Sequence, residues 1–154
     1  MPTSVAIELP RTELRDVRVL AALLPPQESV SIVAGSGEVE GSLAVDDSAT
    51  AVGRVAVDAE DIDVIVRDVP MHADVAVEVN LREGDLEARR FEVSDTTVSV
   101  DNVVGKTPPK SKKAAEPWWC SVQVNRGTAI FSKPMTVNGS LRLQMYDTSA
   151  VVAM

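Results

Sequence analysis

The stretch from Asp74 to Leu81 reads D-V-A-V-E-V-N-L, with valine or leucine at every second position. Successive side chains of a β-strand point to opposite faces of the sheet. The stretch therefore predicts a strand with one apolar face and one solvated face.

The same two-residue period continues on both sides of this stretch, from Ser29 towards the C-terminus. It recurs in segments such as GEVEGSLAVD, AVGRVAVDAE, IDVIVRDV and TTVSVDNV, which short polar turns such as DDSAT and REGD separate. Short connections permit antiparallel hairpins but not parallel crossovers. The pattern predicts a mainly all-β fold, an antiparallel meander of roughly ten strands.

One segment near the N-terminus has a different period. Between Arg11 and Pro26, apolar residues recur every three to four positions, at Leu14, Val17, Leu20 (or Ala21) and Leu24. This spacing predicts one short N-terminal amphipathic helix, which Pro25-Pro26 would end.

Three glycines, Gly35, Gly37 and Gly41, lie in the segment AGSGEVEGSLAV. A phosphate loop requires glycines between a strand and a helix N-terminus, with G-x-G-x-x-G or G-x-x-x-x-G-K spacing. Here the spacing is G-x-G-x-x-x-G and a further alternating strand follows. The glycines instead indicate a sharp bend or a close backbone approach within a sheet.

Composition excludes several classes of function. The 154 residues correspond to a single domain, 1–154, and carry a net charge of −8, which disfavours a nucleic-acid partner. The single cysteine, Cys120, excludes an internal disulfide and a cysteine-based metal cluster.

Residues 104–117 combine prolines with four lysines, which predicts a flexible basic loop. After this loop, a hairpin that turns at Arg126-Gly127 is expected.

The residues that could carry chemistry do not form a recognisable catalytic or metal-binding motif. His72 is the only histidine, and the acidic cluster Asp58, Glu60, Asp61 and Asp63 lacks the order of a calcium loop, which leaves calcium binding or a solvated turn. We therefore expect a non-enzymatic domain with no catalytic residue, metal or cofactor. In Trp118-Trp119, one ring should enter the core, and the other should face outward or line a ligand or membrane surface.

In the order of these features the chain resembles the AsmA-like family of bacterial envelope proteins, which is related to TamB and to bridge-like lipid-transfer proteins. The features are LRDVRVLAALLP, SGEVEGSLAV, VGRVAVDAEDIDV, DLEARRFEVSDTTVSVDNV, a loop with tryptophan, and a strand ending in LRLQMYD. The resemblance implies a long, curved β-groove or gutter that binds or conducts phospholipid, or that assists outer-membrane biogenesis. It also implies a periplasmic or cell-envelope location.

On this interpretation the chain is an excised segment of a larger protein. Flanking segments of the parent would be partners, and membrane association would come from parts outside the fragment. The alternating valines and leucines would line the groove for phospholipid or another acyl-chain ligand: Val39, Leu43, Val45, Val55, Val57, Val64, Val66, Val75, Val77, Val79, Leu81, Val98 and Val100. The alternative is a structural or protein-interaction β module with a fully closed core and no lipid.

Overall fold

A computed structural model describes residues 4–21, 30–105, 117–134 and 136–146. These residues form one seven-stranded antiparallel sheet in which the strands lie side by side in chain order. The elements are β1 (Val5–Leu14), α1 (Arg18–Ala21), β2 (Val30–Val45), β3 (Thr50–Val66), β4 (Val69–Asp85), β5 (Arg90–Gly105), β6 (Trp118–Ile130) and β7 (Thr136–Met145). The predicted all-β antiparallel meander is confirmed.

The strands are fewer and longer than predicted. VSIVA and GEVEGSLAV are parts of one 16-residue strand, β2, and AVGRVAVDAE and IDVIV both belong to the 17-residue β3. The segments are joined by β-bulges, where the register shifts while the strand continues. A bulge inserts one residue without ending the pairing, so a change of phase in the sequence does not mark a turn here.

Three bulge residues share a left-handed backbone conformation. Asp61 in β3, Asp95 in β5 and Asn102 in β5 have φ of 54°, 46° and 52°. Aspartate and asparagine tolerate this region better than other side chains that carry a Cβ. A bulge locally bends the strand that carries it and increases its twist, which here applies to β3 and β5.

Tight hairpins connect the central strands. Val66 pairs with Val69, so Arg67 and Asp68 alone form the loop between β3 and β4, and both have positive φ. That geometry is typical of the type I′ turn, whose twist matches the twist of the flanking strands. Between β2 and β3, the Asp46 carboxylate accepts hydrogen bonds from the backbone N–H groups of Ser48 and Thr50.

The predicted N-terminal helix is wrong over its first turn. Arg11–Leu14 belongs to β1, in which Thr12 pairs with Val39 and Leu14 with Gly37. The free edge of β2 offers ten residues of β1 more hydrogen bonds than a short isolated helix would form. A single helical turn, α1, follows at Arg18–Ala21, and residues 22–29 lie outside the described part of the chain.

Two predicted turn positions are also corrected. β6 continues through Arg126-Gly127, where Gly127 pairs with Val93 on one side and Gly139 on the other, so no hairpin turns there. The turn between β4 and β5 lies at 86–89, and REGD belongs to the end of β4. Of the predicted loop 104–117, residues 104–105 end β5, and residues 106–116 lie outside the described residues.

Candidate functional site: an uncovered apolar sheet face

One face of the sheet is apolar across its whole width. Directly paired residues point to the same side, and one such row consists of Val39, Val57, Val77, Val98, Val122 and Leu143. Neighbouring rows add Leu43 and Leu81 on either side of Gly53, and Val55 next to Val79. We call this side the apolar face.

The structure places every predicted groove residue on the apolar face. Val39, Leu43 and Val45 come from β2; Val55, Val57, Val64 and Val66 from β3; Val75, Val77, Val79 and Leu81 from β4; and Val98 and Val100 from β5. Strand alternation and cross-strand register bring these side chains together on one face, where small residues such as Gly41, Gly53 and Ala59 lie between them.

One end of the apolar face is covered by the chain itself. Val17, just before α1, is only 2% exposed and packs with Ala59, Ile62 and Ala73. Its backbone N–H donates to the carbonyl oxygen of Gly35 at 3.1 Å. Val64, Val75 and Val100 pack against this cluster, so these predicted groove residues belong to a small core.

No described residue covers the other end of the apolar face. It contains a hollow of ≈ 720 Å³, which we call the open hollow. Its walls are Leu43, Gly53, Val55, Val79, Leu81, Phe91, Val93, Ala129 and Phe131, with Ser42, Arg54 and Arg89 at its margin. Leu43, Val55 and Phe131 remain 39%, 47% and 53% exposed. A contiguous patch of exposed large apolar side chains usually marks a binding surface.

Sequence reasoning missed the aromatic wall of the open hollow. Phe91 and Phe131 meet edge to face, with ring centroids 5.4 Å apart and an interplanar angle of 83°. The backbone N–H of Phe131 donates to the Arg89 carbonyl at 2.9 Å, which ties the segment after β6 to the turn before β5. Phe91 precedes Val93 by two residues, so extending the alternation of β5 would have found it, whereas Phe131 follows a strand end and carries no local signal.

The two arginines at the margin differ in their partners. The Arg54 guanidinium contacts Glu78 at 3.0 Å and Glu40 at 3.4 Å, and this pairing lowers the pKa of Glu78. Arg89 lies in the turn between β4 and β5 with φ of 53°, and no ion pair of its guanidinium is found with any described residue.

The opposite side of the sheet, the polar face, is charged and hydrogen-bonded. A smaller hollow of ≈ 300 Å³ is lined there by residues that include Arg11, Glu38, Glu40, Arg54, Asp58 and Glu78. Arg11 pairs with Glu38, and this contact raises the pKa of the guanidinium. Exposed ion pairs of this kind contribute little to stability, so the polar face is a solvated surface.

The remaining candidates for chemistry are His72, the acidic cluster and Cys120. His72 Nδ1 lies 2.6 Å from Asp63 Oδ1 and 3.6 Å from Asp61 Oδ1. Across the described residues, no group of three or more histidine, cysteine or acidic side chains is arranged to hold a metal ion, and this includes the acidic cluster considered for calcium. Burial raises the pKa of the Cys120 thiol, and the charge of Asp101 adds to the shift.

The tryptophans lie on opposite faces. Trp118 pairs with Val103, which packs against the core, whereas Trp119 is 37% exposed.

Among the described residues, no helix combines the length and the apolar character needed to cross a membrane. A scan against protein-family models and searches of curated proteins and of solved structures found no match to this chain.

Proposed function

We propose that the chain is a non-enzymatic lipid-binding β domain whose open hollow holds the acyl chains of a phospholipid. The observation that carries the proposal is the open hollow itself, a ≈ 720 Å³ concavity whose walls are almost entirely apolar. That volume is within the usual range of pockets for small amphiphilic ligands, about 300–1,000 Å³.

The energetics favour an apolar occupant. Valine and leucine walls offer no directional bonds, so they suit flexible acyl chains, which gain about 25 cal/mol for each Å² of apolar surface removed from water. Val55 and Leu43 lie on the floor of the hollow and are still 47% and 39% exposed, so they retain surface that a ligand would bury.

The margin supports an anionic headgroup. Arg89 lies beside Phe91 at the edge of the open hollow, and its guanidinium has a fork of donors that fits a phosphate. Arg54 is held by Glu40 and Glu78 on the polar face, so Arg89 is the better candidate for the headgroup contact.

The bulges at Asp61, Asp95 and Asn102 support the curved gutter, since each bends its strand beside the apolar face. The resemblance to AsmA-like proteins supports the same ligand class and a periplasmic or envelope location. The apolar face between Val17 and the open hollow would then carry acyl chains along the sheet.

The test is binding of a fluorescent long-chain fatty acid and its displacement by phosphatidylglycerol. Val55→Asp places a carboxylate on the floor of the open hollow, and we expect it to weaken binding about tenfold or more, because a charge there opposes the burial of an acyl chain. The matched control is Val52→Asp. Val52 lies in the same strand and is 45% exposed, but alternation sends it to the polar face.

Equal loss of binding in both variants, with native circular dichroism, would contradict the proposal. So would wild-type protein that binds neither probe and buries Val55 against a protein partner. That result would support the structural or protein-interaction module, whose apolar face is closed by protein.

A further inference from the structure

The two edges of the sheet differ in how they are protected. β1 pairs only with β2 and β7 only with β6 within the described residues, so each exposes a row of unpaired backbone donors and acceptors. Natural proteins block such edges with proline, bulges and charges, because a free edge recruits another strand. β1 carries all three: Pro10, a register shift between Leu9 and Thr12, and the charges of Glu8, Arg11 and Glu13.

β7 carries almost none of these devices. Its ten residues, TVNGSLRLQM, contain no proline and no carboxylate, and Arg142 is the only charge. The large apolar side chains Val137, Leu141 and Leu143 are 64%, 67% and 49% exposed on the apolar face. The one register shift in the β6–β7 pairing falls on β6, between Val124 and Arg126, so β7 itself presents a long apolar edge, and such an edge is a template for strand addition.

We propose that β7 pairs antiparallel with β7 of a second copy of this chain. A two-fold axis perpendicular to the sheet makes this contact closed and keeps the apolar faces of both copies on the same side. A register centred on Leu141 sets Arg142 opposite Ser140 and Leu143 opposite Gly139, so the one charge of the strand never faces itself. Pairing of β7 with β1 would instead be parallel and open-ended, and it would meet Pro10.

The dimer does not depend on lipid binding, because it uses backbone groups of the edge rather than the open hollow. Charge complementation at the central position tests it. Leu141→Lys and Leu141→Glu each place like charges against each other across the axis, and we expect each to raise the dimer dissociation constant about tenfold in sedimentation velocity. An equimolar mixture should restore dimers, which shows that both variants are folded.

Ile7→Lys is the control on the opposite edge, since Ile7 is 60% exposed on β1, and it should leave the dimer unchanged. Sedimentation velocity is repeated over a series of protein concentrations. A full-length chain that stays monomeric at all of them would overturn the proposal. Failure of the mixture to restore dimers would also overturn it. If Val55→Asp abolishes the dimer, the two copies contact each other through their apolar faces, and edge pairing is overturned. None of these results bears on fatty-acid binding by the monomer.

Discussion

Asn102 donates a hydrogen bond from its side-chain Nδ2 to Asp74 Oδ2 across 2.6 Å. The other carboxylate oxygen of Asp74 accepts the backbone N–H of Asp61 at 2.8 Å. Asp61 and Asn102 are the left-handed bulge residues of β3 and β5, on either side of β4. One carboxylate on the central strand therefore fastens the bulges of both neighbouring strands.

Removing this carboxylate should loosen both bulges. We expect Asp74→Ala to lower the free energy of unfolding by about 1–2 kcal/mol, because it deletes two charge-assisted hydrogen bonds at a partly exposed site. Urea denaturation followed by circular dichroism measures the change. Asp58→Ala, which removes an exposed carboxylate of β3, should change stability by less than about 0.5 kcal/mol. Equal effects of the two variants would contradict the bridging role.

The same contact predicts a pH dependence. The Asn102 side chain, followed by the Asp61 backbone N–H, lowers the pKa of Asp74 in the folded state. Its contribution to stability is therefore fully present above the unfolded carboxyl pKa, about 4, and is lost as the pH falls through the lower folded value. The difference in unfolding free energy between wild type and Asp74→Asn should shrink in acid. A difference that is constant from neutral to acidic pH would show that the charge of Asp74 does not contribute.

The tight turn between β3 and β4 can be improved. Asp68 holds a left-handed φ of 66°, which costs a residue with a Cβ about 1 kcal/mol and costs glycine little. Asp68→Gly should raise the thermal midpoint and stabilise the protein by roughly that amount. Asp47→Gly in the neighbouring turn is the control, since Asp47 has no positive φ to relieve, and it should give no gain.

Gly35 should tolerate no side chain. It has φ of +141°, and a Cβ there would lie 2.6 Å from Ile62 Cγ2, beside the Val17 cluster. Gly35→Ala should destabilise the sheet by roughly 2 kcal/mol or more, through backbone strain and overpacking. Gly105→Ala should be close to neutral in the same thermal melt, because a Cβ there would meet no described residue within 4 Å apart from its chain neighbours. A stable Gly35→Ala variant would contradict the close approach of β2 and β3.

Much of the sheet could be predicted because one rule dominates it. Alternation from Asp74 to Leu81 fixed the apolar side of β4, and short connections then required antiparallel neighbours. The number of strands could not be predicted in this way. Asp61 and Asn102 interrupt the alternation as a turn would, but the strand pairing resumes beyond each of them, and both residues are hydrogen-bonded to Asp74.

The predicted N-terminal helix and the predicted turn at Arg126-Gly127 were wrong because contacts between strands override the local sequence pattern. Leu14 and Val17 fit a helical spacing, but the free edge of β2 takes Leu14 into β1 and leaves Val17 to cover Ile62. Gly127 resembles a turn residue, yet it lies between Val93 and Gly139 in the sheet. For the site, alternation identified the valine floor of the open hollow, whereas the contribution of Phe131 depends on its backbone hydrogen bond to Arg89 just beyond the end of β6.

The environment of Cys120 predicts a thiol that reacts slowly with alkylating reagents. The side chain is partly buried in β6, in register with Val100 and Met145, and burial together with the charge of Asp101 raises its pKa. Because the thiolate is the reactive form, alkylation by iodoacetamide near neutral pH should be at least about tenfold slower than in urea-unfolded protein, and its rate should climb as the pH is raised. Mass spectrometry of timed, acid-quenched samples measures both rates. Asp101→Asn removes the smaller cause and should speed the folded reaction modestly, while a folded rate equal to the unfolded one would place Cys120 outside the packed sheet.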